Sequence, residues 1–206
     1  MKCSPQMSVN RDLPLQRNLT PWSPTLRRIA LVLGLALAVI VVGWLAPRRT
    51  APPTLILGGK GHEGEYPRAA EQLISSAHTR LWMAMYVIHL DSPEVDGLMQ
   101  ALVAAVARGV DVRVCLDHGP GFDGATDDKH VAPEAWLQTH GIHVVLDELD
   151  RRTHAKVLVV DSYRILAGSH NWTRSAFMSN REVSWLIDST ADAQVIEAWL
   201  AQIPGW

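Results

Sequence analysis

The segment "THAKVLVVD", residues 153–161, places two basic side chains at the head of an apolar run. His154 and Lys156 are two positions apart, and side chains two apart on a strand point to the same face. We therefore expect the imidazole and the ammonium to lie side by side. A neutral imidazole is a competent nucleophile towards phosphorus near neutral pH, and a neighbouring ammonium stabilises charge on the non-bridging phosphate oxygens. The pair indicates phosphoryl transfer.

A second polar group lies in "AGSHNWT", residues 167–173, after the next predicted strand. Asp161 closes the first strand at the turn before "YRILAG". Gly168 and Ser169 allow the backbone to pass close to a ligand, and Asn171 can donate its amide to the same phosphate. The two segments together predict one phosphate site.

The elements that must position these residues alternate between strands and helices from residue 54 onward. Apolar runs predict strands at 54–57, 81–88, 110–117 and 142–146, then the two motif strands, and a last strand at 182–187. Helical spacing of apolar residues predicts helices at 68–78, 95–106 and 133–139, and a final helix capped at 189 or 190. This alternation predicts an α/β fold with a largely buried mixed sheet.

The polar positions resemble a known signature, the HKD motif of the phospholipase D superfamily. The pattern is H-x-K-x4-D, then G-S-x-N and N-x-E, formed by His154, Lys156, Asp161, Gly168, Ser169, Asn171, Asn180 and Glu182. The likeness extends to the helix, strand, helix and "RGVDVRV" strand before the motif, and so covers nearly all of 54–206. It implies a phospholipase D-like mixed sheet flanked by helices.

The resemblance also implies a role for each residue of the motif. His154 would form a phosphohistidine intermediate, while Lys156 and Asn171 hold the phosphoryl oxygens. Glu182 would orient the imidazole and favour its charged form. No metal or other cofactor is required by this scheme. The supporting residues are Asp161, with a structural role, Ser169, which lines the pocket, and Gly168.

This chain carries one HKD motif, whereas many family members carry two. Two-step transfer needs a nucleophile and an acid for the leaving group. The small single-motif members, which include bacterial nucleases and mitochondrial cardiolipin hydrolases, dimerise so that two motifs face each other. We therefore expect a homodimer with a shared active site, in which one His154 is the nucleophile and its mate is the acid.

Other aromatic residues and histidines have simpler expected roles. Trp136, Trp185 and Trp199 fall at core-facing positions, where packing is expected. Trp172, beside the motif asparagine, is a candidate substrate contact. His170 occupies the variable position of G-S-x-N and is a candidate for the pocket lining.

Residues 29–46, "IALVLGLALAVIVVGWLA", are eighteen residues without a charge. They predict a transmembrane helix, preceded by a disordered tail at 1–28 and followed by a stiff linker at 47–53 and the catalytic domain at 54–206. A cleavable signal peptide is the alternative, although Trp44 and Pro47 do not suit a peptidase site. Four arginines before the segment and three basic residues after it favour a cytoplasmic N-terminus. The domain is then expected on the exported, periplasmic side of the cell membrane.

Composition limits the substrate. After residue 50, twelve Lys and Arg stand against twenty Asp and Glu, a net charge of −8, which does not favour non-specific nucleic-acid binding. Because an anchor holds the domain near lipid head groups, a phospholipid phosphodiester is the expected substrate. The alternatives are a membrane-tethered endonuclease acting on DNA or RNA, with Arg151, Arg152 and Lys156 in a local basic groove, and a non-catalytic membrane scaffold. The only cysteines, Cys3 and Cys115, allow no disulfide framework.

Overall fold

The structure is a computed structural model that describes residues 51–119 and 129–206, together with 23–25, 31 and 33. Internal contacts divide the chain into Met1–Arg49 and Thr50–Trp206, and the fold below belongs to the second unit. The predicted tail, the predicted transmembrane helix at 29–46 and the start of the linker lie outside the described residues, apart from those few positions. Within the described part of the chain, no helix is long and apolar enough to cross a membrane.

The described part of the second unit is built on one mixed sheet in the order β1-β7-β6-β5-β2-β3-β4. Strands β2, β3 and β4 are parallel, whereas β5, β6, β7 and β1 pair antiparallel to their neighbours. This confirms the predicted mixed sheet. The strands are β1 Thr54–Leu57, β2 Arg80–Met85, β3 Asp111–Leu116, β4 His143–Leu146, β5 Lys156–Val160, β6 Arg164–Gly168 and β7 Val183–Asp188.

Helices cover the two faces of the sheet unequally. The described helices are α1 Glu65–Ser75, α2 Pro93–Ala107, α3 Val131–Thr139, α4 Arg174–Met178 and α5 Thr190–Leu200. The first four pack on one face and α5 packs on the other. The Ser189 side chain caps α5 by accepting a bond from the Asp192 amide, as one of the two predicted caps. Helix α4 was not predicted, because five residues are too few to show a helical period.

Alternation along the central strands supplies both cores. In β5, Leu158 and Val160 point into the four-helix side, and Val157 and Val159 point towards α5. All four are buried, because the strand lies in the middle of the sheet. A continuous apolar run is therefore required in β5, and the sequence supplies it.

Two predicted packing positions differ from the structure. Trp185 and Trp199 are 43% and 42% exposed, and not in the core. Trp185 lies in β7, on the α5 side of the sheet, where one helix does not cover the outer strands. Trp199 lies in α5 itself. Trp136 packs against the main core as expected.

The strand directions bring the motif residues to one edge of the sheet. The parallel strands β2, β3 and β4 end at this edge. Because β5 and β7 run against β2 and β6 respectively, they begin at the same edge, and β6 ends there. Residues before β5, after β6 and before β7 therefore converge beyond the carboxyl ends of the parallel strands, the usual position of ligand sites in α/β sheets.

Candidate active site

One cavity of about 370 Å³ collects the predicted site residues. Its position follows from the strand directions, because each contributor stands at a strand end on the same edge of the sheet. The seventh predicted residue, Asp161, is not part of it. The lining residues are His154, Lys156, Gly168, Ser169, Asn171 and Glu182.

His154 and Lys156 lie side by side, as their spacing predicts. The Lys156 Nζ is 3.2 Å from His154 Nδ1 and 3.3 Å from Nε2, and it donates to the His154 carbonyl oxygen at 2.8 Å. Lys156 is 7% exposed, so its ammonium is held in place by these contacts and not by solvent. The geometry puts a cation directly beside the candidate nucleophile.

Electrostatics at the pair favour the neutral imidazole. His154 is exposed as a residue, but its ring packs against Tyr86, and this partial burial, followed by the positive charge of Lys156, lowers the pKa of His154. The carboxylate of Asp117 acts in the opposite direction. Burial also lowers the pKa of Lys156, and the carboxylates of Glu182 and Asp117 oppose that effect. The nucleophilic form of the imidazole is therefore the favoured one.

Glu182 has different partners from those expected. Its carboxylate accepts hydrogen bonds from the Ser169 hydroxyl and, at 3.0 Å, from the Asn180 amide nitrogen. The Ser169 hydroxyl in turn accepts from the Val183 amide at 3.0 Å. Within the described residues no hydrogen bond joins Glu182 to His154, and its negative charge opposes the lowering by burial of the pKa values of Lys156 and His170. The orienting role of Glu182 on the imidazole stays a prediction.

Gly168 is required by its own protein neighbours. A Cβ added there would overlap the Ser184 side chain and the Val183 carbonyl of the adjacent strand. We expected the glycine to let backbone approach a ligand, and the structure adds a close approach between β6 and β7. This contact places Ser169 against Glu182.

Asn171 presents a buried polar atom that the protein does not satisfy. Its Oδ1 has no hydrogen-bond partner within the part of the chain that the structure describes. Such atoms are uncommon in folded proteins, because an unpaired buried polar group costs about 1–3 kcal/mol. Oxygen and nitrogen of an amide exchange by a half-turn of the side chain, so the same position also serves as a donor. Asn171 is therefore suited to a polar ligand in the cavity.

The neighbours of Asn171 in sequence turn away from the cavity. Trp172 is 0% exposed and lies near the Tyr66 hydroxyl, so the predicted substrate contact is wrong. His170 is 1% exposed, stacks on Tyr66 at 4.4 Å and bonds Ser184, and burial lowers its pKa to about 4. Both side chains pack against Tyr66 inside the protein and do not line the cavity.

Asp161 lies at the opposite end of β5 and binds backbone. Its carboxylate accepts from the amides of His78 at 3.0 Å, Thr79 at 2.8 Å and Arg80 at 3.1 Å, and from the Thr79 hydroxyl at 2.8 Å. Asp161 itself has a positive φ of 50°, in the left-handed region that aspartate tolerates. These contacts hold the start of β2, which agrees with a structural role.

Sequence reasoning missed two aspartates that hold Thr153, the residue before the candidate nucleophile. Asp117 accepts from the Thr153 amide at 2.7 Å and from Lys129 Nζ at 2.6 Å. Asp147 accepts from the Thr153 hydroxyl. Asp117 and Asp147 directly follow β3 and β4, in the matching strings "VCLD" and "VVLD". That repeat, at the ends of two parallel strands, is the sequence feature that could have identified them.

The described residues contain no group of three or more His, Cys, Asp or Glu side chains placed to hold a metal ion. Cys115 is buried in β3, and burial raises its pKa to about 12.

Comparison with known proteins extends the likeness beyond the motif. The family model described as "Cardiolipin synthase, PLD-like domain" matches residues 71–204. A mitochondrial cardiolipin hydrolase from Xenopus laevis is 30% identical over 128 residues, which cover 62% of this chain and 55% of that protein. A phospholipase D from Rickettsia conorii is 32% identical over 100 residues, covering 48% of this chain and 46% of that protein. The chain spans about half the length of these curated relatives.

Solved structures agree with the family model. Nuc from Salmonella typhimurium, described as a phospholipase D family member, superposes with a TM-score of 0.58 at 28% sequence identity, covering 73% of this chain and 94% of that chain. NucT from Helicobacter pylori superposes with a TM-score of 0.56 at 18% identity, covering 74% and 96%, and shares the fold. Because the family model covers 71–204 and the motif residues line one cavity at the expected edge of the sheet, this chain belongs to the phospholipase D superfamily.

Proposed function

We propose that this chain is a phosphoric diester hydrolase that cleaves phospholipid phosphodiester bonds through a phosphohistidine on His154. The observation that carries the proposal is the single cavity at which His154, Lys156, Asn171 and Glu182 meet. Two features support it further. The pKa of His154 is lowered, which favours a free imidazole, and the buried Asn171 Oδ1 has no partner within the described residues.

The reaction proceeds in two displacements. In the first, a ring nitrogen of His154 attacks phosphorus, so that an N–P bond forms while the P–O bond to the leaving alcohol breaks. Lys156 and Asn171 stabilise charge on the non-bridging oxygens, and an acid protonates the leaving oxygen. In the second, water attacks phosphorus and gives its proton to the same acid–base group. The N–P bond breaks, which releases the phosphate monoester and restores the imidazole.

The acid in this scheme is His154 of the partner subunit in a homodimer, because each chain carries one motif. A mixing experiment tests the shared site. Differently tagged wild-type and His154→Ala chains are co-purified as heterodimers, which should lose nearly all multiple-turnover activity because the remaining nucleophile lacks its acid. Independent sites would keep half the activity per dimer. That result, or a monomeric mass for the active protein by light scattering, would overturn the shared site.

Phospholipid is the favoured substrate for three reasons. Residues 51–206 carry a net charge of −8, which repels a polyanion. The apolar segment at 29–46 is long enough to hold the domain at a bilayer. Two relatives are named a phospholipase D and a mitochondrial cardiolipin hydrolase.

A membrane-tethered endonuclease is the second candidate, favoured by a specific observation near the cavity. The Arg152 guanidinium donates to the Tyr86 hydroxyl at 2.9 Å, on the same ring that Lys156 contacts. Arg152 and Lys156 thus form a local cluster of positive charge in an acidic domain. A nucleic-acid backbone presents phosphates in series to such a cluster.

A substrate assay separates the candidates. The full chain is incubated in EDTA with vesicles that contain phosphatidylcholine, phosphatidylethanolamine and cardiolipin, and separately with single-stranded DNA. His154→Ala is the matched control in each arm. Release of head groups or phosphatidic acid by the wild type alone supports the lipid proposal, whereas cleavage of DNA alone supports the nuclease. If neither substrate is turned over, the non-catalytic membrane scaffold is the remaining candidate.

The proposal includes a single-pass anchor with the catalytic domain on the exported side. Alkaline phosphatase fused after Trp206 is active only where it is exported, and a fluorescent protein that folds only in the cytoplasm reports the opposite topology. We expect phosphatase activity from the first fusion and no fluorescence from the second. The reverse pattern would reject the orientation, and a fusion that washes off the membrane in carbonate would reject the anchor.

A further inference from the structure

The backbone next to His154 is hydrogen-bonded to Tyr86, the residue that follows β2. Tyr86 directly follows β2, and its amide donates to the carbonyl of Ala155 at 2.9 Å. Ala155 is the residue between His154 and Lys156. Tyr86 therefore stands across from the middle of the H-x-K triplet, at a fixed register.

The side chain of Tyr86 makes contacts with both chemical groups of the triplet. Its ring centroid is 4.2 Å from that of His154, at an interplanar angle of 51°. The Lys156 Nζ lies 4.6 Å from the same centroid. Tyr86 is 1% exposed, so its ring is fixed by packing. It is thus a rigid surface against which the imidazole and the ammonium both rest.

Cations surround this ring. Besides Lys156, Lys129 Nζ lies 5.0 Å and Arg152 Cζ 5.8 Å from the centroid, and Arg152 also donates to the hydroxyl. The negative face of an aromatic ring attracts cations, with an energy that grows when the groups are removed from water. An aliphatic side chain of similar volume fills the space but supplies no such attraction.

We propose that Tyr86 is a positioning residue, whose ring holds the His154 imidazole and the Lys156 ammonium in one arrangement for attack on phosphorus. This inference rests on the proposed function, because it assumes that His154 is the nucleophile. The ring, and not the hydroxyl, carries the role, since the contacts to both groups are made by the ring. The hydroxyl accepts a hydrogen bond from Arg152.

The proposal explains how the imidazole is held although it donates no hydrogen bond to Glu182 within the described residues. The backbone that precedes His154 is fixed by Asp117, whose carboxylate accepts a hydrogen bond from the Thr153 amide. The ring of Tyr86 limits the rotation of the imidazole and excludes water from one of its faces. A misplacement of a reacting group by about 1 Å can cost roughly 10²-fold in rate, so a fixed imidazole matters to turnover.

The test compares Tyr86→Leu, which removes the ring, with Tyr86→Phe, which keeps the ring and removes the hydroxyl. Tyr163→Leu is the matched control, because Tyr163 also contacts an arginine, at 5.8 Å, but lies in the β5–β6 turn, at the other end of β5 from the cavity. Each full-length variant is assayed against bis(p-nitrophenyl) phosphate across pH. Histidine-selective NMR on the same proteins titrates the His154 imidazole, assigned by its loss in His154→Ala.

For Tyr86→Leu we expect kcat to fall at least about tenfold with KM within about threefold, since the lesion affects positioning more than binding. The acid limb of the rate profile and the NMR midpoint of His154 should both move to higher pH, because the imidazole becomes more hydrated. Tyr86→Phe should recover kcat to within about threefold of wild type, with the midpoint unmoved. Tyr163→Leu should match wild type in every measurement.

One outcome overturns the inference, and a different outcome overturns the proposed function on which it rests. If Tyr86→Leu and Tyr86→Phe have the same kcat and the same His154 midpoint, the ring has no positioning role. If the wild type hydrolyses no diester, the proposed function fails, and the NMR midpoint still decides whether the ring holds the imidazole. Should Tyr86→Leu fail to fold by circular dichroism, Tyr86→Met replaces it, because a flexible methionine fills the same space without a ring.

Discussion

The two ends of strand β5 both carry charged residues of the HKD motif, but the protein compensates these charges with hydrogen bonds to different degrees. At the amino end, Lys156 is buried and the ring of the exposed His154 packs against Tyr86, and burial is the largest cause that lowers both of their pKa values. At the carboxyl end, about 17 Å away by the usual rise of a strand, the Asp161 carboxylate accepts four hydrogen bonds. Burial raises its pKa, but the bonds from Thr79 and its neighbours lower it overall.

This difference separates chemistry from stability within one motif. Removing charged groups from water without full compensation costs free energy, and such a cost is retained where a ligand later supplies the missing partners. A carboxylate that accepts bonds from three backbone amides stabilises the fold and has no remaining capacity for a substrate. Changes at the first end should therefore remove activity at little cost in stability, and changes at the second end should do the reverse.

The largest effect is expected at His154. His154→Ala should lower kcat by roughly 10⁵-fold or more, on the scale of nucleophile deletions in other hydrolases. The free energy of unfolding, measured with urea, should stay within about 0.5 kcal/mol of wild type because the residue is exposed. His140→Ala, on an exposed helix end, is the control. Turnover retained by His154→Ala would erase the distinction between the two ends.

Lys156→Ala sharpens the comparison, because the lysine is buried and yet belongs to the chemical end. Loss of its contact to the phosphoryl oxygens should lower kcat by roughly 10²–10³-fold, or about 3–4 kcal/mol in the barrier. Stability should be unchanged or higher, since a desolvated cation is removed. Lys60→Ala, at an exposed loop lysine, should match wild type. A rate loss below tenfold, or a large loss of stability, would count against the assigned role.

Asp161→Asn should show the opposite pattern. The amide keeps the size of the side chain but loses its charge and presents N–H groups to four donors. We expect a loss of about 1–3 kcal/mol in the free energy of unfolding, with kcat per folded molecule within twofold of wild type. Asp150→Asn, at an exposed position, controls for the change in charge. A fall in kcat without a fall in stability would place Asp161 in the chemistry after all.

The sequence predicted the parts of this comparison unequally. The H-x-K spacing predicted the contact between His154 and Lys156, and the alternating apolar runs predicted a mixed sheet, because both depend on local periodicity. The partners of Glu182 and the ring of Tyr86 were not predictable. They depend on which strand neighbours which, and Tyr86 sits in an apolar run where packing is the default reading. The exposure of Trp185 depends on how few helices cover the second face, which no local pattern encodes.

The smallest expected effect is the pH dependence of the Asp161 contribution. Because the folded-state pKa of Asp161 is lowered, its ionised form stabilises the fold above the unfolded pKa of about 3.9, and that contribution is lost as pH falls through the lower, folded value. Urea unfolding at a series of pH values from 7 to 2.5 measures it as the difference between wild type and Asp161→Asn. Other carboxylates with lowered pKa values, such as Glu65 and Asp111, are common to both proteins and cancel in this difference.

We expect the difference in the free energy of unfolding to be constant above about pH 5 and to shrink below it, by about 1.4 kcal/mol for each unit by which the pKa is lowered. A difference that stays constant down to the lowest pH would mean that the hydrogen bonds at this end of β5 do not depend on the charge of the carboxylate.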